Sequence, residues 1–135
     1  MDQINLDVYL FFKGNCREAM EFYKSIFGGE VNYTTYGEAS VPGMEGDEDW
    51  IMHASLDDGA VKLMASDTSQ ASPQTKKVSL SLGGTDEPKM REIFENLSAG
   101  GQISQPLEKA PWGDIFGSFV DKFGVDWMMN IASGS

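Results

Sequence analysis

The residues of this chain that could carry out chemistry are few, and His53 is the first of them. It is the only histidine in 135 residues, and it lies between Met52 and Ala54 on a predicted strand. An imidazole titrates closest to neutral pH, so His53 could act as a general base or as a polar anchor for a ligand. The alternative is a half-buried structural histidine. His53 is therefore our one candidate catalytic residue.

Cys16 is the only cysteine, and it stands in the first turn of a predicted helix, where the helix dipole favours a thiolate. No order of histidine and acid around it identifies a nucleophile, so a small buried thiol is the favoured interpretation. The sequence contains neither a GxSxG nor a GxxxxGK[ST] motif. It also lacks the glycine-rich loop with which a methyltransferase of the usual type holds S-adenosylmethionine.

A second group of candidates surrounds Trp112, Gly113 and Asp114, which precede the last predicted hairpin. The indole of Trp112 could stack on a planar ligand while Asp114 fixes a polar group. Equally, Asp114 could cap the turn and Trp112 could cover a core edge or a dimer interface. Phe116 and Trp127 could line a ligand site or simply pack in the core.

The charge of the chain bounds its partners. The net charge of −11 and the isoelectric point of 4.3 predict a surface that repels nucleic acid and anionic membranes. The longest apolar run near the N-terminus, residues 8–12, is too short for a signal peptide or a membrane span, so we expect a cytoplasmic protein. The acidic loop 37–49 could be a lid, a weak cation site or a solvated loop.

The elements that must position these residues occur twice. Residues 6–12 predict a strand, Asn15 an N-cap with Glu18 completing a capping box, and Gly28 with Gly29 the end of the helix. Three further strands are predicted at residues 30–36, 51–56 and 61–65. A polar linker over residues 67–75 follows. The pattern then restarts with a strand at 78–82 and a helix capped by Thr85 or Asp86, ending at Gly100 and Gly101.

Two numerical offsets relate the copies. An offset of 72 equates Phe22 with Phe94 and Gly28 with Gly100, whereas an offset of 64 equates Asp57 with Asp121. These matches predict a single α+β domain of residues 1–135, built from tandem βαβββ modules at 1–66 and 76–133. We expect paired curved mixed sheets around a cleft, with the helices outside, because one sheet with one helix leaves a face bare. Such a cleft is the default ligand site.

The repeat, the segment EAMEFYKSIFGGEV and the terminal WGDIFGSFVDKFGVDWMMN resemble the vicinal oxygen chelate superfamily of glyoxalases, bleomycin-resistance proteins and dioxygenases, and most of all its PhnB-like branch. The resemblance implies metal-ligand positions near Asp7 or Val8, Leu63 or Met64, Lys77 and Met128. Only Asp7 is a suitable ligand for the metals of this superfamily. We therefore predict no cofactor, with a divalent metal as the open alternative, and the resemblance implies a homodimer.

Three classes of function follow. The favoured one is a small-molecule binding protein or metal-free enzyme. The alternatives are a metal-dependent lyase or dioxygenase, and a non-catalytic resistance protein that sequesters its ligand. The predicted ligand-binding residues are Tyr9, Phe11, His53, Trp112, Asp114, Phe116 and Trp127.

Overall fold

The chain folds into two units, and the computed structural model describes residues 8–39, 48–68 and 78–132. The units are Met1–Ser72, named module one here, and Pro73–Ser135, named module two. Each contains a four-stranded mixed sheet whose strands follow the predicted order. The predicted α+β class and the repeated βαβββ arrangement are confirmed.

Module one begins with a strand and a helix that covers the sheet. Its elements are β1 (Val8–Phe12), α1 (Cys16–Phe27), β2 (Glu30–Thr35), the single-turn α2 (Tyr36–Ala39), β3 (Ile51–Asp57) and β4 (Lys62–Asp67). The strand order is β1-β4-β3-β2, with β1 parallel to β4 and the other pairs antiparallel. Helix α1 buries Cys16, Ala19, Met20 and Tyr23 against this sheet, since these positions share one helical face.

Module two repeats this topology without a counterpart of α2 among its described residues. Its elements are β5 (Leu80–Gly84), α3 (Glu87–Ser98), β6 (Gln102–Lys109), β7 (Ile115–Val120) and β8 (Asp126–Ile131), in the order β5-β8-β7-β6. Helix α3 is capped by Asp86, whose carboxylate accepts from the Lys89 amide at 3.2 Å, and Pro88 stands in its first turn. Met90, Phe94 and Leu97 are buried on its inner face.

Strand register confirms both sequence offsets for the parallel pairs. Val8 lies opposite Leu63 in module one, and Leu80 lies opposite Trp127 in module two, so the partners differ by 72 and by 64. The antiparallel hairpins differ by one residue. Ala54 pairs with Ala65 but Gly117 pairs with Met129, so β3 and β7 are related by an offset of 63.

This extra residue in the second hairpin corrects the predicted equivalence of Asp57 and Asp121. The Asp121 amide donates to the Val125 carbonyl, and the matching bond in module one comes from Asp58 to Val61. Each of these aspartates also accepts backbone amides of its own turn. Asp58 is therefore the counterpart of Asp121, while Asp57 is the exposed last residue of β3.

In module one Asn15 is the N-cap of α1 as predicted, but the predicted capping box and the assignment of Asp67 to a linker are wrong. Asn15 occupies the N-cap of α1, but its side chain makes no capping hydrogen bond. The capping acceptor is Asp67, which the sequence had placed in a polar linker and which is the last, buried residue of β4. Of the acidic loop, residues 37–39 belong to α2, and residues 40–47 lie outside the described ranges, as do residues 69–75 of the linker.

Each sheet has one face covered by its helix and an opposite face, named the open face here. In module one Ala54, Leu56, Leu63 and Ala65 are buried toward α1. Because side chains alternate along a strand, their neighbours Ser55 and Met64 belong to the open face. Over the ranges described, no helix is long and apolar enough to cross a membrane.

Candidate functional site

His53 lies on the open face of module one, directly after a β-bulge. Ile51 and Ala54 are both buried, although they are three residues apart and a regular strand would place them on opposite faces. The register shows the cause: Thr34 pairs with His53 but Thr35 pairs with Ile51, so Met52 is an extra residue. The bulge reverses the alternation before His53, so that Ile51 stays on the covered face, while His53, the neighbour of buried Ala54, lies on the open face.

On that face His53 meets Tyr9, which comes from β1 two strands away. The Tyr9 hydroxyl and Nδ1 of His53 lie 3.1 Å apart, within hydrogen-bond distance. If the neutral imidazole carries its proton on Nε2, Tyr9 donates to Nδ1; if the proton is on Nδ1, the tyrosine oxygen accepts it. In either tautomer the bond fixes the ring, and Nε2 remains as a defined donor or acceptor.

Exposed aromatic rings adjoin this pair. The Tyr9 and Phe11 rings stack with centroids 5.2 Å apart, and the Tyr9 and His53 rings lie 5.9 Å apart. Phe11 is 59% exposed, which is unusual for a phenylalanine on a sheet. The three side chains therefore form an apolar surface with one polar group, suited to contact a planar molecule.

A small pocket continues the open face of module one. Met64 pairs with Tyr9 on one side and with Ser55 on the other, so the pocket lies beside the Tyr9 and His53 pair. Its volume is about 170 Å³, and it is lined by Ser55, Leu56, Asp57, Lys62, Leu63 and Met64. The lining is mostly apolar, with a lysine and an aspartate on facing strands at its end.

In module two, Trp112 is held by a chain of side-chain hydrogen bonds. Its Nε1 donates to Oδ1 of Asn130 at 3.1 Å, and Nδ2 of Asn130 donates to Oδ2 of Asp114 at 3.0 Å. The indole also packs edge-on against Phe116, with centroids 5.8 Å apart. Trp112 is 62% exposed, so these contacts orient a ring that remains accessible.

Beside Trp112 lies a pocket of about 280 Å³. It is lined by Gln105, Glu108, Lys109, Ala110, Pro111, Trp112 and Phe116. Asp114 is not among these residues; its Oδ2 accepts from Asn130, and its backbone carbonyl accepts from the Ala110 amide at 2.7 Å. Asn130 is the functional candidate that sequence reasoning missed, because an asparagine at the end of an apolar strand gives no signal of its own.

The structure removes Trp127 from the predicted ligand-binding set. The indole is 2% exposed and stacks on Phe119 in the core of module two. Its Nε1 donates to Oδ2 of Asp121 at 2.9 Å. Since strand residues alternate, Trp127 and Met129 are directed to the covered face, whereas Met128 and Asn130 lie on the open one.

Cys16 is a buried thiol, as the favoured interpretation proposed. Burial raises the pKa of Cys16 from its ordinary 9.0 to about 12, and the neighbouring Asp67 carboxylate adds to the rise. A thiol that stays protonated is a poor nucleophile. This environment opposes the effect of the helix dipole.

At the described positions where the resemblance implies metal ligands, the side chains are poor donors for the metals of the superfamily. Leu63 is buried toward α1, while Met64 and Met128, on the open faces, offer thioethers that hard and borderline metals bind weakly. Asp7 and Lys77 lie outside the described residues. Within the described ranges, no three His, Cys, Asp or Glu side chains come together to hold a metal ion.

Comparison with known proteins places the chain in a family. Residues 5–130 match the family described as 3-demethylubiquinone-9 3-methyltransferase. Protein YjdN of Escherichia coli is 30% identical over 138 residues, covering 93% of this chain and 94% of that protein. Protein PA1353 of Pseudomonas aeruginosa is 37% identical, with a TM-score of 0.81 over 96% of this chain and 98% of the other.

The PhnB protein of Bacillus cereus is 26% identical, with a TM-score of 0.76 over 96% of this chain and 100% of that protein. A glyoxylase/bleomycin resistance protein/dioxygenase domain from Frankia sp. shares the fold at 14% identity and a TM-score of 0.64, over 98% and 93% of the two chains. The chain therefore belongs to the PhnB-like family, described as 3-demethylubiquinone-9 3-methyltransferase, and has the fold of the glyoxalase/bleomycin resistance/dioxygenase superfamily.

Proposed function

We propose that the protein binds a small planar molecule carrying a polar substituent, and that the polar anchor is the hydrogen-bonded pair Tyr9 and His53. The observation that carries this proposal is the 3.1 Å contact between these side chains on the open face. A histidine that a partner holds in one orientation presents Nε2 at a defined place. Phe11 extends the apolar surface beside it.

Trp112 and Phe116 form a second candidate surface of the same kind, within module two. The edge-on packing of the two rings and the pocket of about 280 Å³ support contact with a flat apolar group. Asp114 acts through Asn130, keeping the indole of Trp112 in place. Asp114 thus supports binding without touching the ligand.

The family description suggests a chemical class for the ligand. Demethylubiquinone is a planar ring with hydroxyl and carbonyl oxygens, and such a ring combines an apolar face with groups that Tyr9 and His53 could bind. We therefore propose a hydroxylated quinone or phenol. In an enzymatic form of this function that acts on a phenol, Nε2 of His53 is the general base: it takes the hydroxyl proton, leaving a phenolate and an imidazolium.

The proposal is tested by titrating the full chain with a water-soluble hydroxybenzoquinone while tryptophan fluorescence is recorded. We expect saturable binding that weakens about 3- to 10-fold in His53→Ala and in Tyr9→Phe, because each variant removes one hydrogen bond worth about 0.5–1.5 kcal/mol. Tyr33→Phe is the matched control, since it removes a tyrosine hydroxyl bound to Glu21 of α1 on the covered face. Equal affinities in all four proteins would contradict the proposal.

Two further outcomes separate the alternatives. Stoichiometric zinc, nickel, iron or manganese in protein purified without chelator would favour the metal-dependent enzyme over this proposal. Binding confined to cationic compounds, which the net charge of −11 attracts, would favour the sequestering protein.

A further inference from the structure

His53 directly follows the bulge residue Met52, so the backbone that carries its side chain depends on how this bulge is held. One residue before this bulge, the Ile51 amide donates to Oδ2 of Asp67 at 2.9 Å. Asp67 is only 1% exposed, so this bond forms in the interior of module one. A strand without the bulge would return Ile51 and His53 to the same face.

The other oxygen of Asp67 holds the end of the strand that carries Tyr9. Oδ1 accepts from the amides of Gly14 and Cys16 at 2.8 and 2.9 Å, in the segment that joins β1 to α1. Asp67 itself pairs with Phe12, the last residue of β1. One carboxylate therefore ties together the two strands whose side chains meet as Tyr9 and His53.

We infer that Asp67 is a positioning residue for the Tyr9 and His53 pair: it holds the bulge that directly precedes His53 and the end of the strand that carries Tyr9. Its importance for ligand binding rests on the proposed function above. The geometric claim concerns the protein without ligand. This claim about Asp67 can therefore be confirmed or refuted without any ligand.

Module two contains the matched comparison. Asp121 is also a buried carboxylate with three donors, but these are Phe123, Val125 and Trp127 of its own hairpin. Its removal should destabilise the protein without any direct effect on β1 or β3. Asp121→Asn is thus a control for loss of stability alone.

The experiment uses the fact that His53 is the only histidine, so its ring gives a single set of NMR signals. The full chain is labelled with ¹⁵N, and the imidazole nitrogens are recorded in wild type, Tyr9→Phe, Asp67→Asn and Asp121→Asn. Tyr9→Phe shows where the signals lie when the hydrogen bond is lost. An asparagine has one acceptor oxygen, which can serve Gly14 and Cys16 only if its amide group faces Ile51.

We expect the His53 signals of Asp67→Asn to move to the positions seen in Tyr9→Phe, and those of Asp121→Asn to stay at the wild-type positions. Wild-type signals in folded Asp67→Asn would overturn the inference, as would an equal shift in Asp121→Asn. If Asp67→Asn does not fold, the inference is tested instead by a measurement on the wild-type protein. A through-bond coupling between the Ile51 amide nitrogen and the Asp67 carboxylate carbon supports the inference, and its absence overturns it.

The same variants distinguish the two proposals. Displaced His53 signals in Asp67→Asn, together with unaltered affinity for the hydroxybenzoquinone, would retain Asp67 as a positioning residue while removing the pair from the binding site. Unmoved His53 signals in Asp67→Asn, together with weakened binding in His53→Ala, would keep the pair in the binding site and show that Asp67 does not position it.

Discussion

Replacement of Asp121 by alanine should be among the most damaging single changes in module two. The carboxylate is 2% exposed and accepts three hydrogen bonds, of 2.8 Å from Phe123, 3.0 Å from Val125 and 2.9 Å from Trp127. The bonds to Val125 and Trp127 are buried, so the abandoned donors cannot turn to water. Each buried donor left without a partner costs about 1–3 kcal/mol.

Two such donors and a third that is partly buried give a loss of roughly 3–5 kcal/mol in the free energy of unfolding. The assay is urea denaturation followed by circular dichroism. With a slope of about 2 kcal/mol per molar urea, a loss of about 4 kcal/mol lowers the midpoint by about 2 M.

Asp58→Ala is the control, because Asp58 occupies the same position in the first hairpin but is exposed. It accepts amides of Ala60 and Val61, which water can reach once the carboxylate is gone. We expect a loss of about 1 kcal/mol or less. Equal midpoints for the two variants would refute the argument that burial of Asp121, and not turn formation alone, determines its contribution.

Two further predictions concern a buried thiol and a glycine in close contact with a neighbouring backbone. Because the folded pKa of Cys16 is raised to about 12 from 9.0, first by burial and then by Asp67, its stabilising contribution is complete below pH 9 and is lost as the pH rises toward 12. The free energy of unfolding should therefore fall less steeply above pH 9 in Cys16→Ala than in wild type, and parallel curves would contradict this. Gly101→Ala should unfold at markedly lower urea than Gly83→Ala, because a Cβ at Gly101 would lie 2.1 Å from the Val120 carbonyl oxygen, whereas the nearest atom to one at Gly83 is the Asn130 carbonyl oxygen at 3.9 Å. Similar midpoints would show that the backbone at Gly101 can move apart at little cost.

The repeat was predictable because it depends on local signals. Apolar spacing marks the strands and helices, and paired glycines end both helices, with Gly28 and Gly100 at φ 79 and 81. A glycine in this left-handed region avoids the clash of a Cβ. The sequence therefore predicts element order and the two offsets, and the register of the parallel pairs agrees with them.

The covered and open faces were less predictable. Alternation along an apolar strand shows which residues share a face, but it does not show which face of the sheet a helix covers. For that reason the sequence predicts Trp127 in a ligand site, whereas it packs in the core. The bulge at Met52 gives no residue signal, since methionine has no special backbone preference. Its presence is why Ile51 and Ala54 are buried on the same face.

Contacts between residues far apart in the sequence could not be predicted, for a different reason. Tyr9 and His53 are 44 positions apart in the sequence. They meet because β1 and β3 both pair with β4 and so lie in the same sheet. Asp67 was placed in a linker by the Ser, Gln and Pro residues that follow it. Composition describes that segment on average, but it cannot show that one carboxylate is buried and binds three amides.

The most direct test of the account is the NMR spectrum of His53 during titration with the hydroxybenzoquinone. If Tyr9 and His53 anchor the ligand, the imidazole signals of the wild type will shift in step with the fluorescence change and saturate with it. In Tyr9→Phe the same shift will require about 3- to 10-fold more probe. Saturation of the fluorescence with unmoved imidazole signals would contradict the account, because the probe would then bind away from the pair.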